Sequence, residues 1–243
     1  MKTSSSLSPS AAASPDAVAM QARDRLSTRA ALLEVAGQVF AERGYAEATS
    51  KEICQRAGVN GASVNYHFGS KEKLYGEVLI EGHRRLKDLD ELERMVDSDL
   101  DPKEKLRLFL LDTLQKALDA DKLWSVKIFM REQLAPTPMG IERLRAAAMP
   151  KFMKFRELVH QLTGFPMDSS QLQWAAAMVL LPMVSIFLVP QTMRPIAFPR
   201  SDNVNEMLDT MLTYALGGLA ALKNRDCDPS AGRAGESGAN SGA

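Results

Sequence analysis

The stretch Thr49–Leu74 reads TSKEICQRAGVNGASVNYHFGSKEKL, and its pattern decides the fold of the N-terminal part of the chain. It predicts a helix, a tight turn, a second short helix and the start of a third. Thr49 and Glu52 have the spacing of a capping box, which begins the first helix. Gly58 ends that helix, because glycine takes a left-handed conformation without a steric penalty. We expect Asn60 to cap the second helix.

Apolar and polar residues of this stretch separate onto different faces. Ile53, Val64 and Phe68 are expected in the core. Two short helices joined by a glycine turn predict a helix-turn-helix, whose second helix lies in the DNA major groove. The candidate DNA contacts are then Thr49, Asn60, Gly61, Ser63, Asn65, Tyr66, His67 and Lys71.

Ala57–Leu74 has the pattern A-G-V-N-x-x-S-V-x-Y-H-F-x-S-K-E-x-L, which resembles the DNA-binding domain of the TetR family of bacterial transcriptional regulators. The resemblance runs from about Ser27 to Leu79. The family usually has Tyr where this chain has Asn65, so a tyrosine–phosphate contact is not carried to that position. Asn65 either pairs with an adenine or contacts a phosphate, a water or the side chain beside it.

A second stretch, Arg131–Pro138, together with Asn65–Lys71, resembles the CecR-like subgroup of this family. That resemblance implies control of efflux or membrane-transport operons. It also implies a small-molecule effector, which releases a repressor from its operator.

Phosphate contacts are predicted at two helix N-termini, Thr49 and Lys71, where backbone amides and the helix dipole favour anions. The chain has 30 basic and 30 acidic residues, so DNA binding needs local rather than net charge. Basic residues around the recognition segment are Lys51, Arg56, Lys71 and Lys73. Three further basic residues, Arg23, Arg25 and Arg29, lead into the first helix. They are either solvated or contact the DNA backbone or minor groove.

The whole chain shows only helical patterns, so the predicted fold is all-α. A DNA-binding bundle is expected over 23–80, and a larger helical effector-binding and dimerisation domain over 81–222. One long helix, from Lys71 to about Val96, is expected to join them. Residues 1–22 and 223–243 are rich in small and polar residues and are predicted to be a disordered arm and a disordered tail.

Two apolar helices of the body, Leu172–Val189 and Val204–Leu222, have stripes too wide for one partner each. We therefore expect a homodimer through a four-helix contact. A membrane span is not expected, because Ala175–Val189 is shorter than the roughly 20 apolar residues required and contains Pro182. Pro150 is expected to kink or divide the helix before it.

Aromatic and methionine residues recur through the body, and most of them are explained as core. A pocket lined by some of them would accept a largely apolar effector. The candidates are Trp124, Phe129, Met130, Gln133, Phe152, Trp174 and Met178. Arg131 and Glu132 are either structural or polar anchors. The alternative function is a helix-turn-helix module regulated by a protein partner or by no ligand.

Catalysis is not indicated. None of the three histidines has a metal-ligand partner at the usual spacing, and no nucleophile or phosphate-loop motif is found. The two cysteines, Cys54 and Cys227, suggest neither a disulfide nor a zinc site, which suits a reducing cytoplasm. The sequence therefore predicts a cytoplasmic regulator without metal or cofactor. Its expected partners are operator DNA, an effector and a second copy, with no membrane.

Overall fold

The computed structural model describes residues 15–118, 124–189, 193, 196 and 203–226. The chain divides into two compact units, the first ending at Tyr75 and the second beginning at Gly76. Every regular element of the described residues is an α-helix, which confirms the predicted all-α class.

The first unit is built on three helices and the start of a fourth: α1 (Pro15–Glu47), α2 (Ser50–Arg56), α3 (Ser63–Phe68) and α4 (Lys71–Leu86). Its core is the apolar stripe of α1, because Leu32, Ala36, Val39 and Phe40 recur at helical spacing and are fully buried. Ile53 from α2, Val64 from α3 and Leu74 from α4 complete this core at zero exposure. The shared core fixes how α3 is presented.

Helix α1 begins at Pro15, so the prediction of a disordered arm over 1–22 is wrong for 15–22. Proline suits the first turn of a helix, and alanines follow it. Residues 1–14 lie outside the described residues. Gly44 has φ 79° and ψ 172°, which are non-helical angles, and it interrupts the helical path of α1. Tyr45 then packs on Phe40 and Tyr75, with ring centroids 6.3 and 4.9 Å apart.

The second unit contains the rest of α4 and six further described helices. They are α5 (Leu89–Asp97), α6 (Pro102–Leu118), α7 (Trp124–Leu134), α8 (Pro138–Thr163), α9 (Ser170–Leu188) and α10 (Val204–Asp226). One core joins α5, α6, α8, α9 and α10 and includes Leu92, Leu106, Phe109, Phe155, Leu158, Leu172, Val179, Leu208 and Leu219.

The single helix predicted from Lys71 to Val96 is wrong, because the chain breaks between α4 and α5. Asp88 has extended backbone angles, φ −77° and ψ 135°, and its carboxylate accepts hydrogen bonds from the amides of Asp90 and Glu91. This is an N-cap, and it begins a new helix rather than continuing the old one.

Prolines inside helices do not divide them here. Helix α8 continues through Pro150, although proline removes one backbone hydrogen bond. Of the two expected outcomes at Pro150, a kink or a division, the division does not occur, because α8 is one helix from Pro138 to Thr163. Helix α10 extends to Asp226, so the disordered tail predicted from 223 is wrong for 223–226. Residues 227–243 lie outside the described residues.

The corner between α7 and α8 is held by a buried carboxylate. Glu132 is 4% exposed and accepts hydrogen bonds from the Thr137 amide at 2.9 Å and the Thr137 hydroxyl at 3.1 Å. The Thr137 hydroxyl oxygen in turn accepts from the amide of Gly140 at 2.9 Å, which caps α8. A Cβ at Gly140 would stand 1.8 Å from Glu132 Oε2, so only glycine fits there.

Candidate DNA-binding surface and effector cavity

Helix α2 begins as predicted but with half of the expected capping box. The Thr49 hydroxyl oxygen accepts a hydrogen bond from the Glu52 amide at 3.1 Å, which confirms Thr49 as the N-cap. The Glu52 carboxylate instead accepts from Arg43 at 2.9 Å and from Arg56 at 2.8 Å. These ion pairs tie α2 to the end of α1.

The turn between α2 and α3 is shaped by Gly58, with φ +67°, and by Asn60. The Asn60 side-chain oxygen accepts from the Ala62 amide at 2.8 Å, and its backbone carbonyl accepts from the Ser63 amide at 2.9 Å. The N-cap of α3 is Ala62. The prediction that Asn60 caps α3 is therefore wrong; Asn60 closes the turn before it. This leaves Asn60 and Gly61 exposed in front of α3.

Helix α3 has a buried face and a solvent face. Val64 and Phe68 are buried, whereas Asn65 and Tyr66 are exposed and Ser63 and His67 are half-buried. The exposed fraction of Tyr66 is 64%, and its ring meets His67 edge-on at a centroid distance of 4.9 Å. The structure thus brings most of the predicted DNA contacts onto one short helix and the turn before it.

Lys71 has two contacts within the fold. Its ammonium donates hydrogen bonds to the carbonyl oxygens of Tyr45 and Ala48, both at 2.9 Å, and lies 4.4 Å from the centre of the Tyr45 ring. These carbonyls follow the interruption of α1 at Gly44, so Lys71 stabilises the end of α1 from the start of α4. One ammonium hydrogen is left for the phosphate contact predicted from the sequence.

Two of the basic residues expected to supply local charge are thus paired inside the unit. Arg56 donates to Glu42 at 2.7 Å as well as to Glu52, and the hydrogen bond that Glu42 accepts raises the pKa of Arg56. Lys51 and Lys73 are exposed. The positive surface near α3 therefore depends on fewer residues than the sequence suggested.

The second unit contains a cavity of about 390 Å³ between α4, α7 and α8. Its apolar lining includes Phe129, Leu144 and Ala148, and its polar lining includes His83 and Arg145. The volume lies within the range of small-molecule sites. This cavity is the candidate effector site.

His83 is held in one orientation beside this cavity. Lys151 of α8 donates to His83 Nδ1 at 2.8 Å and to the His83 carbonyl oxygen at 3.0 Å. Burial, together with the smaller effect of the Lys151 charge, lowers the pKa of His83 to about 4. Burial also lowers the pKa of Lys151, to about 8. At neutral pH the imidazole is uncharged, and because Nδ1 accepts, the ring proton is assigned to Nε2.

The predicted ligand residues do not come together. Phe129 and Gln133 line the cavity, whereas Trp124 is buried beneath the guanidinium of Arg85, 4.7 Å from its ring centre. Phe152 packs against the core of the second unit, and Met130 is half-buried away from the residues lining the cavity. Trp174 and Met178 lie on an exposed face of α9.

Sequence reasoning missed His83 and Arg145 as lining residues. The sequence offers His83 only as a metal ligand, for which it has no partner at the usual spacing, and its position beside the cavity follows from the packing of the helices. A Cβ at Gly82 would stand 3.2 Å from the Trp124 ring, which shows how closely these helices approach. Glu132 holds the α7–α8 corner and also lines the cavity, so the structural interpretation and the polar-anchor interpretation both stay open. The feature of the sequence that drew attention to Glu132 is a charged residue inside an otherwise apolar segment.

Metal and membrane features are not seen in the part of the chain that the structure describes. Within it no group of three or more His, Cys, Asp or Glu side chains is placed to hold a metal ion. None of its helices is long and apolar enough to cross a bilayer.

The arrangement of α2, a glycine turn and a solvent-facing α3 defines a helix-turn-helix DNA-binding protein. Residues 32–78 match the family described as bacterial regulatory proteins, tetR family, and residues 102–219 match the C-terminal domain of the HTH-type transcriptional dual regulator CecR. The chain belongs to the TetR family of transcriptional regulators, which confirms the resemblance seen in its sequence. Regulators of this family bind operator DNA.

Curated relatives match mainly over part of their length. The chain is 37% identical over 93 residues to the HTH-type transcriptional repressor KstR2 of Rhodococcus jostii (strain RHA1), which covers 38% of this chain and 44% of the relative. It is 30% identical over 99 residues to the HTH-type transcriptional regulator YdgC of Bacillus subtilis (strain 168), which covers 40% and 50%. The chain thus spans half or less of these relatives.

Solved structures of similar fold cover more of the chain. A TetR-like transcriptional regulator from Rhodococcus sp. RHA1 has a TM-score of 0.57 at 19% identity and covers 79% of this chain and 96% of that one. The transcriptional regulator FadR from Bacillus subtilis, solved in complex with stearoyl-CoA, has a TM-score of 0.60 at 16% identity and covers 77% and 97%. At these identities the likeness shows the fold alone.

The contacts of Lys71 predict a stability effect that its neighbour Lys73 does not share. Lys71→Ala removes two charge-assisted hydrogen bonds to carbonyl groups, so we expect the first unit to lose about 1–3 kcal/mol of unfolding free energy. Lys73→Ala, an exposed lysine two residues later, should stay within about 0.5 kcal/mol of the wild type. Thermal unfolding followed by circular dichroism measures both. Equal midpoints for the two variants would contradict the structural role of Lys71.

Proposed function

We propose that the chain is a homodimeric transcriptional repressor that binds operator DNA through α3 and is released by a small effector. The observation that carries this proposal is the division of α3, whose Val64 and Phe68 are buried while Asn65 and Tyr66 face solvent. A helix held in this way presents its polar side chains to a major groove. Family membership and relatives named as repressors support the same function.

Direct reading of bases is proposed for Asn65. Asn65 is exposed, and so is Tyr66 after it on α3. Val64, the residue before it, is buried. An asparagine amide pairs with both N6 and N7 of adenine. The contacts of Thr49, Asn60, Gly61, Ser63, His67 and Lys71 are proposed to position α3 on phosphates, which carries no sequence information.

Asn65→Ala separates base reading from phosphate contact. If Asn65 pairs with adenine, the variant should lose about 1–3 kcal/mol of discrimination at one position of each half-site and keep its other preferences. Binding to a library of single-base operator variants measures this. Gln55→Ala, an exposed amide on α2, is the matched control. Uniform weakening across the library would instead assign Asn65 to a phosphate.

A second copy of the chain is the proposed partner of an exposed apolar face on α9 and α10. Trp174, Met178 and Leu181 of α9 are 66%, 50% and 54% exposed, and Tyr214 of α10 is 75% exposed. The three residues of α9 recur every three or four positions, so α9 presents one apolar stripe. A groove of about 960 Å³ is lined by Met178 and Leu181 of this stripe and by Tyr214, whereas Trp174 does not line it. Exposed apolar surface of this kind marks an interaction site.

Gly217 and Gly218 give this face a flat centre. Both line the groove, and no atom of the described residues lies within 4 Å of where their Cβ atoms would stand. Small residues let a partner helix approach closely. Met211 and Leu212, which the sequence suggested for this contact, are half-buried and pack against the core of their own unit. We therefore propose that the interface is formed by the neighbouring face of α10, which carries Tyr214, Gly217 and Gly218.

Trp174→Glu with Tyr214→Glu should convert the dimer to a monomer, because two charges would enter an apolar interface. Sedimentation velocity of the full chain measures the assembly. The control is Gln173→Glu with Ala220→Glu, which adds the same charges at exposed positions of the same helices that carry no large apolar side chain. An intact dimer for the Trp174 and Tyr214 pair would contradict this interface.

The cavity between α4, α7 and α8 is the proposed effector site. Phe129, Leu144 and Ala148 would contact an apolar or aromatic body, and Arg145 is exposed and able to bind a carboxylate. His83 Nε2–H offers a further donor. We propose a small aromatic or branched organic acid as the effector. A whole fatty acyl-CoA has far more bulk than about 390 Å³ holds.

Coupling is proposed to run along α4, which carries His83 near its end and begins at Lys71, directly after the reading segment. An effector that binds one arrangement of α4 better than the other shifts the population between them. Coupling free energies of this kind are about 1–3 kcal/mol, so a roughly 5–150-fold loss of operator affinity is expected.

Ala148→Phe should abolish the effector response without abolishing DNA binding, because the larger side chain fills the cavity. The probes are benzoate, salicylate, phenylacetate and indole-3-acetate. A bound acid at 100 times its Kd should raise the thermal midpoint of the wild type by about 5–10 °C. Ala146→Phe, at an exposed position of the same helix outside the cavity, is the control and should respond like the wild type.

Two results would contradict this effector site. One is an effector response that survives in Ala148→Phe. The other is the lack of any midpoint shift with these acids and with small molecules extracted from the purified protein. The second result would favour the alternative function, a helix-turn-helix module regulated by a protein partner or by no ligand.

Efflux or membrane-transport genes are the proposed targets. The support is the match of residues 102–219 to the CecR C-terminal domain, whose subgroup tends to control such operons. That domain is described for a dual regulator, so activation is possible at some promoters as well as repression. Transcript levels of adjacent genes after deletion of the coding sequence test this assignment.

A further inference from the structure

Two arginines of α1 stack on two aromatic residues of α3. Arg29 places its guanidinium carbon 4.8 Å from the centre of the Phe68 ring, and Arg25 places its own 5.8 Å from the centre of the Tyr66 ring. The arginines are four residues apart, one helical turn, and therefore lie on one face of α1. Helices α1 and α3 thus meet through a pair of cation–π contacts.

The two pairs differ in exposure. Phe68 is 7% exposed and Arg29 is half-buried, so this pair belongs to the packing between α1 and α3. Tyr66 is 64% exposed and Arg25 is exposed, so this pair stands at the surface beside the solvent face of α3. Tyr66 is supported on its other side by the edge-on contact with His67. Its ring is therefore a supported platform rather than a free side chain.

Arg25 is available to an anion from outside the protein. Among the described residues no acidic side chain lies within salt-bridge distance of its guanidinium, which makes a cation–π contact with Tyr66. Arg56, by contrast, is paired with Glu42 and Glu52. A cation–π contact uses none of the guanidinium N–H groups as hydrogen-bond donors, so these groups remain available to a phosphate.

We propose that Arg25 and Tyr66 together form a phosphate-binding site for the DNA backbone beside the groove that α3 enters. Arg25 donates the hydrogen bonds to the phosphate oxygens, and the Tyr66 ring positions the guanidinium. Tyr66 therefore acts through its ring and not through its hydroxyl. This inference rests on the proposed function, and it extends the DNA-binding surface from the helix-turn-helix to the first turns of α1.

The test compares four variants of the full chain: Arg25→Ala, Tyr66→Ala, Tyr66→Phe and the double alanine variant. The probe is a DNA duplex that the wild-type protein selects from a random library. Arg25→Ala and Tyr66→Ala should each weaken binding on the order of tenfold. Arg25→Ala should also reduce the slope of log K against log salt by about one for each protomer.

The ring of Tyr66 is tested separately from its hydroxyl. Tyr66→Phe keeps the platform and should bind within about twofold of the wild type. The double alanine variant should be little weaker than either single variant, because one contact is lost only once. Arg94→Ala removes an exposed arginine from α5 in the second unit, and it should leave the affinity unchanged. Circular dichroism melts of each variant check that the fold is intact.

Several outcomes would overturn the inference. One is a Tyr66→Phe variant as weak as Tyr66→Ala, which would assign the contact to the hydroxyl. Another is an Arg25→Ala variant with unchanged affinity and salt slope on a duplex that the wild type binds tightly. Additive losses in the double variant would show that the two residues act independently. If the wild type selects no duplex, the proposed function fails, and this inference fails with it.

Discussion

A helix of six residues does not hold its shape alone in water, and α3 is such a helix. Isolated helices below about 12–15 residues are marginal, because nucleation costs more than a few hydrogen bonds return. The presentation of α3 therefore depends on burial of Val64 and Phe68 inside the first unit. The other contacts of the first unit reinforce this dependence: the Thr49 cap orders α2, Asn60 closes the turn, and Arg29 stacks on Phe68. The solvent face of α3 can read a DNA sequence because burial fixes the position of its opposite face.

Some basic side chains of the first unit stabilise its fold, and others are available to contact a partner. Arg56, Arg43 and Lys71 are used in ion pairs or on carbonyl groups within the unit. A chain with no net charge then needs a few well-placed cations for phosphate contact, and Arg25 on its Tyr66 platform is one that the fold leaves available. The second unit follows the same division, because buried Glu132 holds the α7–α8 corner while Arg145 remains exposed at the cavity.

Local patterns were predictable from the sequence, and contacts between distant helices were not. The core positions of α3 followed from the spacing of Val64 and Phe68, and Thr49 followed from its distance to Glu52. The break at Asp88 was missed because the apolar pattern continues across it, although aspartate is a good N-cap. Of the predicted ligand residues, Trp174 was chosen for its type, yet it is exposed on α9. Which face of a helix lines a cavity depends on the packing of α4, α7 and α8, and periodicity alone does not specify that packing.

The central claim is that the solvent face of α3, presented twice by a dimer, reads an operator. The most direct measurement is selection of genomic DNA fragments by the wild-type protein at physiological salt, followed by sequencing. The account predicts enriched fragments that share an inverted repeat, with half-sites one helical turn, or a multiple of it, apart and protected symmetrically in footprinting. Enrichment without a common repeat, or binding that vanishes when non-specific competitor DNA is added, would contradict it.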